Sequence, residues 1–354
     1  MISERPRPGA PRRRRFGGSV PSRRRQRGVA LLIAILLVAF GTIIAAAMAY
    51  DNAMTARRAA ATFEFDQALL VAEGAESLAA YRLQQTAKSN PSYIGAGQPW
   101  STPLPPSEVT PGVTLEASLE DLQGRFNINN LVMTDGNTPN TAAIAAFQRL
   151  LTSLNLDPKL ADLIVDWIDK NTDPMDDGAE DSVYMEMDPP YRTPNLPITS
   201  TSEILALPGV TRAEFDTLAP YIVALPLGVQ INTCDAKPLV LDALTGHQQW
   251  SNLSPQEFAQ DRTASGGCFP TPAEVIQAAG ETQTGSVGGA TTGTNTGTGS
   301  NVQQSISGML SEKSNWFRLT SYVTLGTAEF SVYTLLYQDQ TGMVRPELRS
   351  FTPD

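Results

Sequence analysis

The residues best suited to chemistry in this sequence are carboxylates crowded into positions 166–181. Seven acidic side chains stand there with one lysine, Lys170. So much negative charge disfavours a compact loop unless a cation neutralises it, and loops of this kind bind Ca²⁺ through about six to eight oxygen ligands. Pro174 and Gly178 permit the turns that would bring such ligands together. The candidate ligands are Asp169, Asp173, Asp176, Asp177, Glu180 and Asp181.

The spacing of these acids leaves two interpretations open. The order is not that of an EF-hand, because Pro174 stands where that calcium loop requires glycine. Spacing alone therefore favours a calcium site and a solvated acidic loop equally.

Motifs of hydrolytic enzymes are missing from the sequence. It contains no G-x-S-x-G and no H-E-x-x-H, and His247 is the only histidine. Clustered acids can also supply the carboxyl pair of a glycosidase, but calcium binding explains their number better. We therefore predict a protein without enzymatic activity.

The element that leads into this acidic region is an uncharged apolar run at residues 29–50. Apart from Tyr50, the run has no ionisable side chain. About 20 helical residues, each rising ~1.5 Å, cross the ~30 Å hydrocarbon core of a bilayer. The run is therefore predicted to be a single-pass membrane anchor.

The residues before this anchor and those after it have opposite net charges. The residues before Gly28 include ten arginines and one acid, a balance of +9, whereas the remainder has 16 basic and 35 acidic residues, a balance of −19. Arginine-rich flanks stay on the cytoplasmic side of a membrane. We expect the N-terminus in the cytoplasm and the large acidic part on the far side.

The junction between the arginines and the apolar run contains Gly28 and Val29. A secretory signal would place its cleavage site after the apolar run rather than before it. A glycine at the cytoplasmic edge instead resembles the processing site of type IV pilins and type II secretion pseudopilins. That resemblance implies a prepilin peptidase that cuts between Gly28 and Val29, with N-methylation of the new terminus. A plain uncleaved anchor is the alternative.

Ile33 is the fifth residue after that cleavage site, where most pilin-like proteins have glutamate. A carboxylate in the bilayer is costly unless it is paired, and Ile33 removes both the cost and the pairing. This apolar residue and the long chain of 354 residues resemble the minor pseudopilin K family. The segment at residues 127–131 resembles the same family.

The family resemblance implies a function. It implies a minor pseudopilin of the type II secretion system that forms the tip of a periplasmic pseudopilus and supports protein export across the outer membrane. The implied location is the bacterial inner membrane, crossed once, with the C-terminal domain in the periplasm. The implied partners are minor pseudopilins I and J, with H, the major pseudopilin and secreted cargo as further candidates. A minor pilin of a type IV pilus or of a DNA-uptake (competence) system is the alternative.

The resemblance also implies a structural calcium ion in the larger lobe, which favours calcium over a solvated loop at residues 166–181. Binding of nucleic acid is not expected. Residues 207–210 resemble the turn of a helix-hairpin-helix, but only Arg212 lies beside that turn and the exported part is strongly acidic.

Cys234 and Cys268 are the only cysteines. In an exported chain such a pair most simply forms a disulfide, and closing a loop of this size contributes about 3 to 4 kcal/mol. The two thiols and His247 are too few for a structural zinc site.

The sequence predicts an α+β fold of the type IV pilin kind. A long N-terminal helix packs on an antiparallel sheet, and a large α-helical lobe of helix-hairpin-helix or SAM-like type is inserted. The predicted parts are a basic leader at 1–28, a transmembrane segment at 29–50, a pilin-like helix with the first strands at 51–140, the inserted lobe with the calcium loop at 141–226, and a sheet with the disulfide at 227–354. The last part includes a flexible Gly/Thr-rich loop at 280–301.

Finer predictions concern single elements. Phe63, Leu70, Leu78 and Tyr81 lie within a ~60° arc of the long helix and are predicted to pack on the following lobe. Residues 91–112 are predicted to form a loop, and 113–119 a strand. A hairpin is predicted at 316–337 with its turn near Gly326, followed by an edge strand that contains Pro346.

Overall fold

The computed structural model describes residues 26–90, 92–281 and 306–352. Most of the predicted basic leader, 1–28, and of the predicted flexible loop, 280–301, lies outside these residues. The chain forms two compact units, Met1–Glu64 and Phe65–Asp354. The division of the chain into five parts stays a prediction.

A single helix, α1, runs over Gln26–Ser89. From Gly28 onwards its first part is long and apolar enough to cross a membrane. The chain therefore has one N-terminal helix that fits the predicted single-pass anchor.

The part of α1 in the second unit packs through alanines. Its buried apolar residues are Ala68, Ala72, Ala75, Ala79 and Leu83. Their spacing of three and four residues places them on one helix face, and the small side chains let the helix backbone come close to the sheet. The prediction of a packing stripe at Phe63, Leu70, Leu78 and Tyr81 is wrong, because these side chains are exposed, Leu70 by 68%.

The sheet has five antiparallel strands in the order β1-β2-β7-β8-β9. They cover Leu104–Thr110 (β1), Val113–Asp121 (β2), Trp316–Leu325 (β7), Ala328–Gln338 (β8) and Val344–Ser350 (β9). The pairs β3–β4 and β5–β6 are short parallel bridges at Phe126–Asn127, Ile222–Val223, Ile231–Asn232 and Leu310–Ser311. One face of the sheet packs on the alanines of α1.

Most strand predictions are confirmed. The hairpin β7–β8 runs in register from Trp316 opposite Tyr337 to Leu325 opposite Ala328, and Gly326 in its turn has a φ of 60°. The edge strand β9 has a register irregularity opposite Pro346. The predicted loop at 91–112 is partly wrong, because β1 lies within it. Pro105 and Pro106 are tolerated there since β1 is the other edge of the sheet.

The helical lobe is built from α2 to α8. The helices cover Thr141–Ser153 (α2), Leu160–Ile168 (α3), Asp181–Tyr184 (α4), Arg212–Leu218 (α5), Pro238–Thr245 (α6), Pro255–Ala264 (α7) and Pro272–Glu281 (α8). The buried side chains of α2, α3, α6 and α8 share one hydrophobic core. Arg149 of α2 fixes α6 through hydrogen bonds to the carbonyls of Ala243 and Leu244 at 2.7 and 3.1 Å.

The predicted hairpin segment at residues 201–222 differs in two ways from an α-helical pair. Its first arm is a 3₁₀ helix at Thr201–Ala206, and a capping box between Ser200 and Glu203 stabilises the N-terminus of this helix. Its second arm, α5, ends at Leu218, and Ile222 lies in β4. Pro220 explains the early end, since proline cannot continue the backbone hydrogen bonding of a helix.

Candidate functional site

The acidic site begins on α3. Asp162, Asp166 and the C-cap residue Asp169 follow one another at spacings of four and three residues, so they lie along one side of this helix. All three are buried, and Asp169 is only 1% exposed. The N–H of Asp169 donates to the carbonyl of Val165 at 2.9 Å and closes the last turn of α3.

The loop after α3 folds back over Asp166. The N–H of Met175 donates to both carboxylate oxygens of Asp166 at 3.1 Å. Gly178 is required at this point, because a Cβ atom there would lie 1.9 Å from Oδ2 of Asp166. The loop then brings Glu180, which is 5% exposed, into the same neighbourhood.

The surroundings of this loop disfavour the ionised form of its buried carboxylates. Burial raises the pKa of Glu180 to about 7, and the charges of Asp166 and Asp169 act in the same direction. Burial also raises the pKa of Asp166 to about 6, against the hydrogen bond from Met175. Both carboxylate oxygens of Glu180 and Oδ1 of Asp169 are buried without a hydrogen-bond partner. Buried acceptors without a partner are costly.

The predicted calcium ligands divide into two groups. Asp169 and Glu180 lie at this buried site. Asp173 and Asp176 are exposed on the loop. Asp177 pairs with Lys159 at 2.7 Å, and Asp181 accepts hydrogen bonds from Arg192 and Thr193 at 3.1 Å. The structure therefore brings together two of the six predicted residues.

Two acids at the site, Asp162 and Asp166, are absent from the predicted ligands. Their signal in the sequence is the helical spacing of Asp162, Asp166 and Asp169, which places three acids on one face of α3. A further oxygen lies nearby: Nδ2 of Asn195 donates to the carbonyl of Asn171 at 3.1 Å, while Oδ1 of Asn195 is buried without a partner.

The donor type of these side chains favours a calcium ion, whereas their positions do not form a binding site. Buried, unpaired carboxylate oxygens are the donor set that calcium prefers. Within residues 26–90, 92–281 and 306–352, however, no three acidic, histidine or cysteine side chains surround a point where a metal ion would fit. The residues fit calcium by donor type, and the side chains would have to turn towards the ion to bind it.

The other predicted sites occupy separate parts of the chain. Gly28, Val29 and Ile33 lie at the start of α1, and all three are exposed. Cleavage between Gly28 and Val29 stays a prediction. Cys234 and Cys268 form a disulfide with their Cα atoms 4.2 Å apart, as predicted. It ties the segment after β5 to the segment that precedes α8.

These features define a class of protein. A long N-terminal helix that is apolar at its start and packs by its later part on an antiparallel sheet, with an inserted helical lobe, is the architecture of a pilin-like membrane-anchored subunit. Residues 124–227 match the family model described as Type II secretion system (T2SS), protein K. Relatives and a solved structure extend this match over most of the chain.

Two bacterial relatives carry the name type II secretion system protein K. The protein of Klebsiella pneumoniae is 33% identical over 251 residues, which are 68% of this chain and 77% of the relative. The protein of Aeromonas hydrophila is 35% identical over 229 residues, 60% of this chain and 69% of the relative. The chain belongs to the type II secretion system protein K family and is a minor pseudopilin.

A solved structure has the same fold. In the crystal structure of the GspK-GspI-GspJ complex from the type 2 secretion system of enterotoxigenic Escherichia coli, one chain matches with a TM-score of 0.66 and 21% identity. The match covers 84% of this chain and all of that one. The predicted fold class and family are thereby confirmed.

Proposed function

We propose that this protein forms the tip of a periplasmic pseudopilus together with minor pseudopilins I and J. The observation that carries the proposal is the likeness of its fold, over 84% of the chain, to a protein that was crystallised with GspI and GspJ. The family membership supports the same role. A tip of this kind would support export of secreted proteins across the outer membrane.

The membrane segment supports the proposed location. Residues 29–50 anchor the chain in the inner membrane, the arginine-rich leader faces the cytoplasm, and the acidic remainder lies in the periplasm. A prepilin peptidase removes the leader after Gly28. The side chain of Ile33 is exposed on α1, and it offers no carboxylate to the terminal amine of a neighbouring subunit, which suits a subunit with no neighbour above it.

Assembly with I and J is tested by purification from membranes. The full-length chain, tagged at its C-terminus, is expressed with minor pseudopilins I and J of the same bacterium and extracted in mild detergent. We expect I and J to co-purify with it. Recovery of the chain alone, while I and J still bind each other, would contradict the proposed tip complex.

The acidic loop is proposed to hold a structural calcium ion. Asp166, Asp169 and Glu180 would bind it, because they are the buried carboxylates around the unpaired oxygens. When bound, the ion would neutralise these charges and fix the loop between α3 and α4. A hundredfold excess over Kd would add about 2.7 kcal/mol to the free energy of unfolding.

Removal of calcium is the corresponding experiment. The melting temperature of the full chain is compared in excess chelator and in millimolar calcium, with magnesium as the control ion. We expect a rise of several degrees with calcium and a much smaller rise with magnesium. Equal melting temperatures in chelator and calcium would rule out the site.

A further inference from the structure

A cleft of about 410 Å³ opens between the helical lobe and the last strands of the sheet, on the second unit of the chain. Three cationic side chains line it: Arg125 after β2, Lys237 before α6, and Arg318 on β7. They come from separate parts of the sequence, so only the fold brings them together. In a protein whose exported part is strongly acidic, this concentration of positive charge is unusual.

The carboxylate of Glu120 holds the two arginines. It accepts one hydrogen bond from Nη2 of Arg125 and one from Nη2 of Arg318, the latter at 2.7 Å. Burial raises the pKa of Glu120, but the charges of both arginines outweigh it, so the pKa is lowered. Glu120 is therefore ionised at neutral pH and offsets one of the three positive charges.

Other acids near the cleft do not cancel the remaining positive charge. Asp216 lines the cleft, but its carboxylate pairs with Arg212 at 2.8 Å. Burial raises the pKa of Asp235, and the charge of Asp121 acts in the same direction. Asp235, which lies near Lys237, is therefore a weaker source of negative charge. Burial lowers the pKa of Lys237 itself, and the charge of Arg125 adds to that effect.

Two guanidinium nitrogens of the arginines that line the cleft lack a hydrogen-bond partner. Nε of Arg125 and Nε of Arg318 are buried and have no partner. Nζ of Lys237 donates to the carbonyl of Pro220 and lies 5.4 Å from the ring centre of Tyr221, which fixes its position at the cleft. Buried guanidinium donors are normally paired, and a carboxylate is the group whose shape matches them.

We propose that this cleft binds a carboxylate on a peptide segment, with an apolar side chain beside it. The apolar part of the wall is formed by Leu122, Ile222, Val223, Ala224, Leu335 and Leu348. Leu348 is 56% exposed and offers free apolar surface at the rim. The volume lies in the range of organic ligands and exceeds what a small inorganic anion fills.

The probes are short blocked peptides, titrated into the full chain in detergent at low salt and constant calcium. One is acetyl-Leu-Asp-Gly-amide, and its control is acetyl-Leu-Asn-Gly-amide, which lacks only the charge. Acetate alone is the third probe. We expect the aspartate peptide to bind about tenfold or more tightly than either of the others, measured by calorimetry.

Substitutions of Lys237 test whether the aspartate peptide binds in this cleft. Lys237→Gln should weaken binding of the aspartate peptide by about tenfold, and Lys237→Arg, which keeps the charge, should retain it. Arg345→Gln is the matched control, since Arg345 pairs with Glu347 on the exposed edge strand outside the cleft. The proposal is overturned by equal binding of the asparagine peptide, by acetate binding as tightly as the peptide, or by unchanged binding to the Lys237→Gln variant.

Discussion

Arg349 of β9 holds both carboxylate oxygens of Glu76 of α1. Nε of Arg349 lies 2.7 Å from Oε1 and Nη2 lies 2.8 Å from Oε2. The hydroxyl of Thr334 on β8 donates a further hydrogen bond to Oε1 at 2.8 Å. Glu76 is 7% exposed, so this paired acid joins the later part of α1 to the last two strands of the sheet.

Replacing Glu76 with alanine should destabilise the second unit strongly. The change leaves Thr334 without this acceptor and leaves Arg349 only its longer contact with Glu73, at 3.4 Å. The side chain of Arg349 is 37% exposed, so water recovers part of the loss, and we expect about 2 to 3 kcal/mol, less than for a fully buried pair. Denaturant unfolding of the full chain in detergent measures this value. Arg345→Gln, which breaks an exposed pair, should cost less than about 1 kcal/mol, and equal losses in both variants would contradict the role of Glu76.

The calcium-free protein should lose stability as the pH rises. The pKa values of Asp166 and Glu180 in the folded state, about 6 and about 7, lie above their ordinary values of 3.8 and 4.5. The folded state therefore binds more protons than the unfolded state within this window. The stabilisation is complete below about pH 4 and is lost by about pH 7.

Calcium should oppose this loss, because it binds the ionised carboxylates. Melting temperatures at pH 5 and pH 7.5, in chelator and in excess calcium, provide the test. We expect the calcium-induced rise to be larger at the higher pH. A rise that does not depend on pH would show that these acids are not the calcium ligands.

Gly178→Ala tests the packing of the acidic loop. The new Cβ atom would overlap with Oδ2 of Asp166, and overpacking of this kind costs about 1 to 3 kcal/mol. It should also reduce the stabilisation by calcium. Gly74→Ala is the matched control, because a Cβ atom there meets open space on an exposed helix face and should stabilise α1 by about 0.5 to 1 kcal/mol. Similar effects in the two variants would argue against the close approach of Gly178 and Asp166.

The disulfide should contribute measurably to stability. A Cys234→Ser, Cys268→Ser double variant opens a loop of 34 residues, for which we expect a loss of about 3 to 4 kcal/mol. Unfolding of wild type under reducing conditions should give the same loss. A double variant as stable as the oxidised wild type would contradict the prediction.

Sequence patterns predicted the elements that have strong contrast between apolar and polar positions. Strand β7 alternates between buried and half-buried positions along its whole length, and the anchor has no charged side chain. The later part of α1 lacked such contrast: its buried face consists mainly of alanines, so the larger Leu70 and Tyr81 gave a misleading stripe. Close packing on the sheet favours small residues, and only the fold shows which face is covered.

Helices α4, α6 and α7 and part of the site were missed for different reasons. The start of α7 had a readable signal, since Ser254 and Glu257 form a capping box around Pro255. The spacing of the acids of α3 was also a readable signal in the sequence. The pairing of Asp177 with Lys159 and of Asp181 with Arg192 had no such signal, because these side chains meet only in the folded chain.

Identification of the mature N-terminus tests the central claim most directly. The protein is extracted from membranes of cells that contain the prepilin peptidase, and its intact mass and first residues are determined. We expect a chain that starts at Val29, retains the apolar segment and stays in the membrane fraction. A chain that keeps its arginine-rich leader, or one released without residues 29–50, would contradict it.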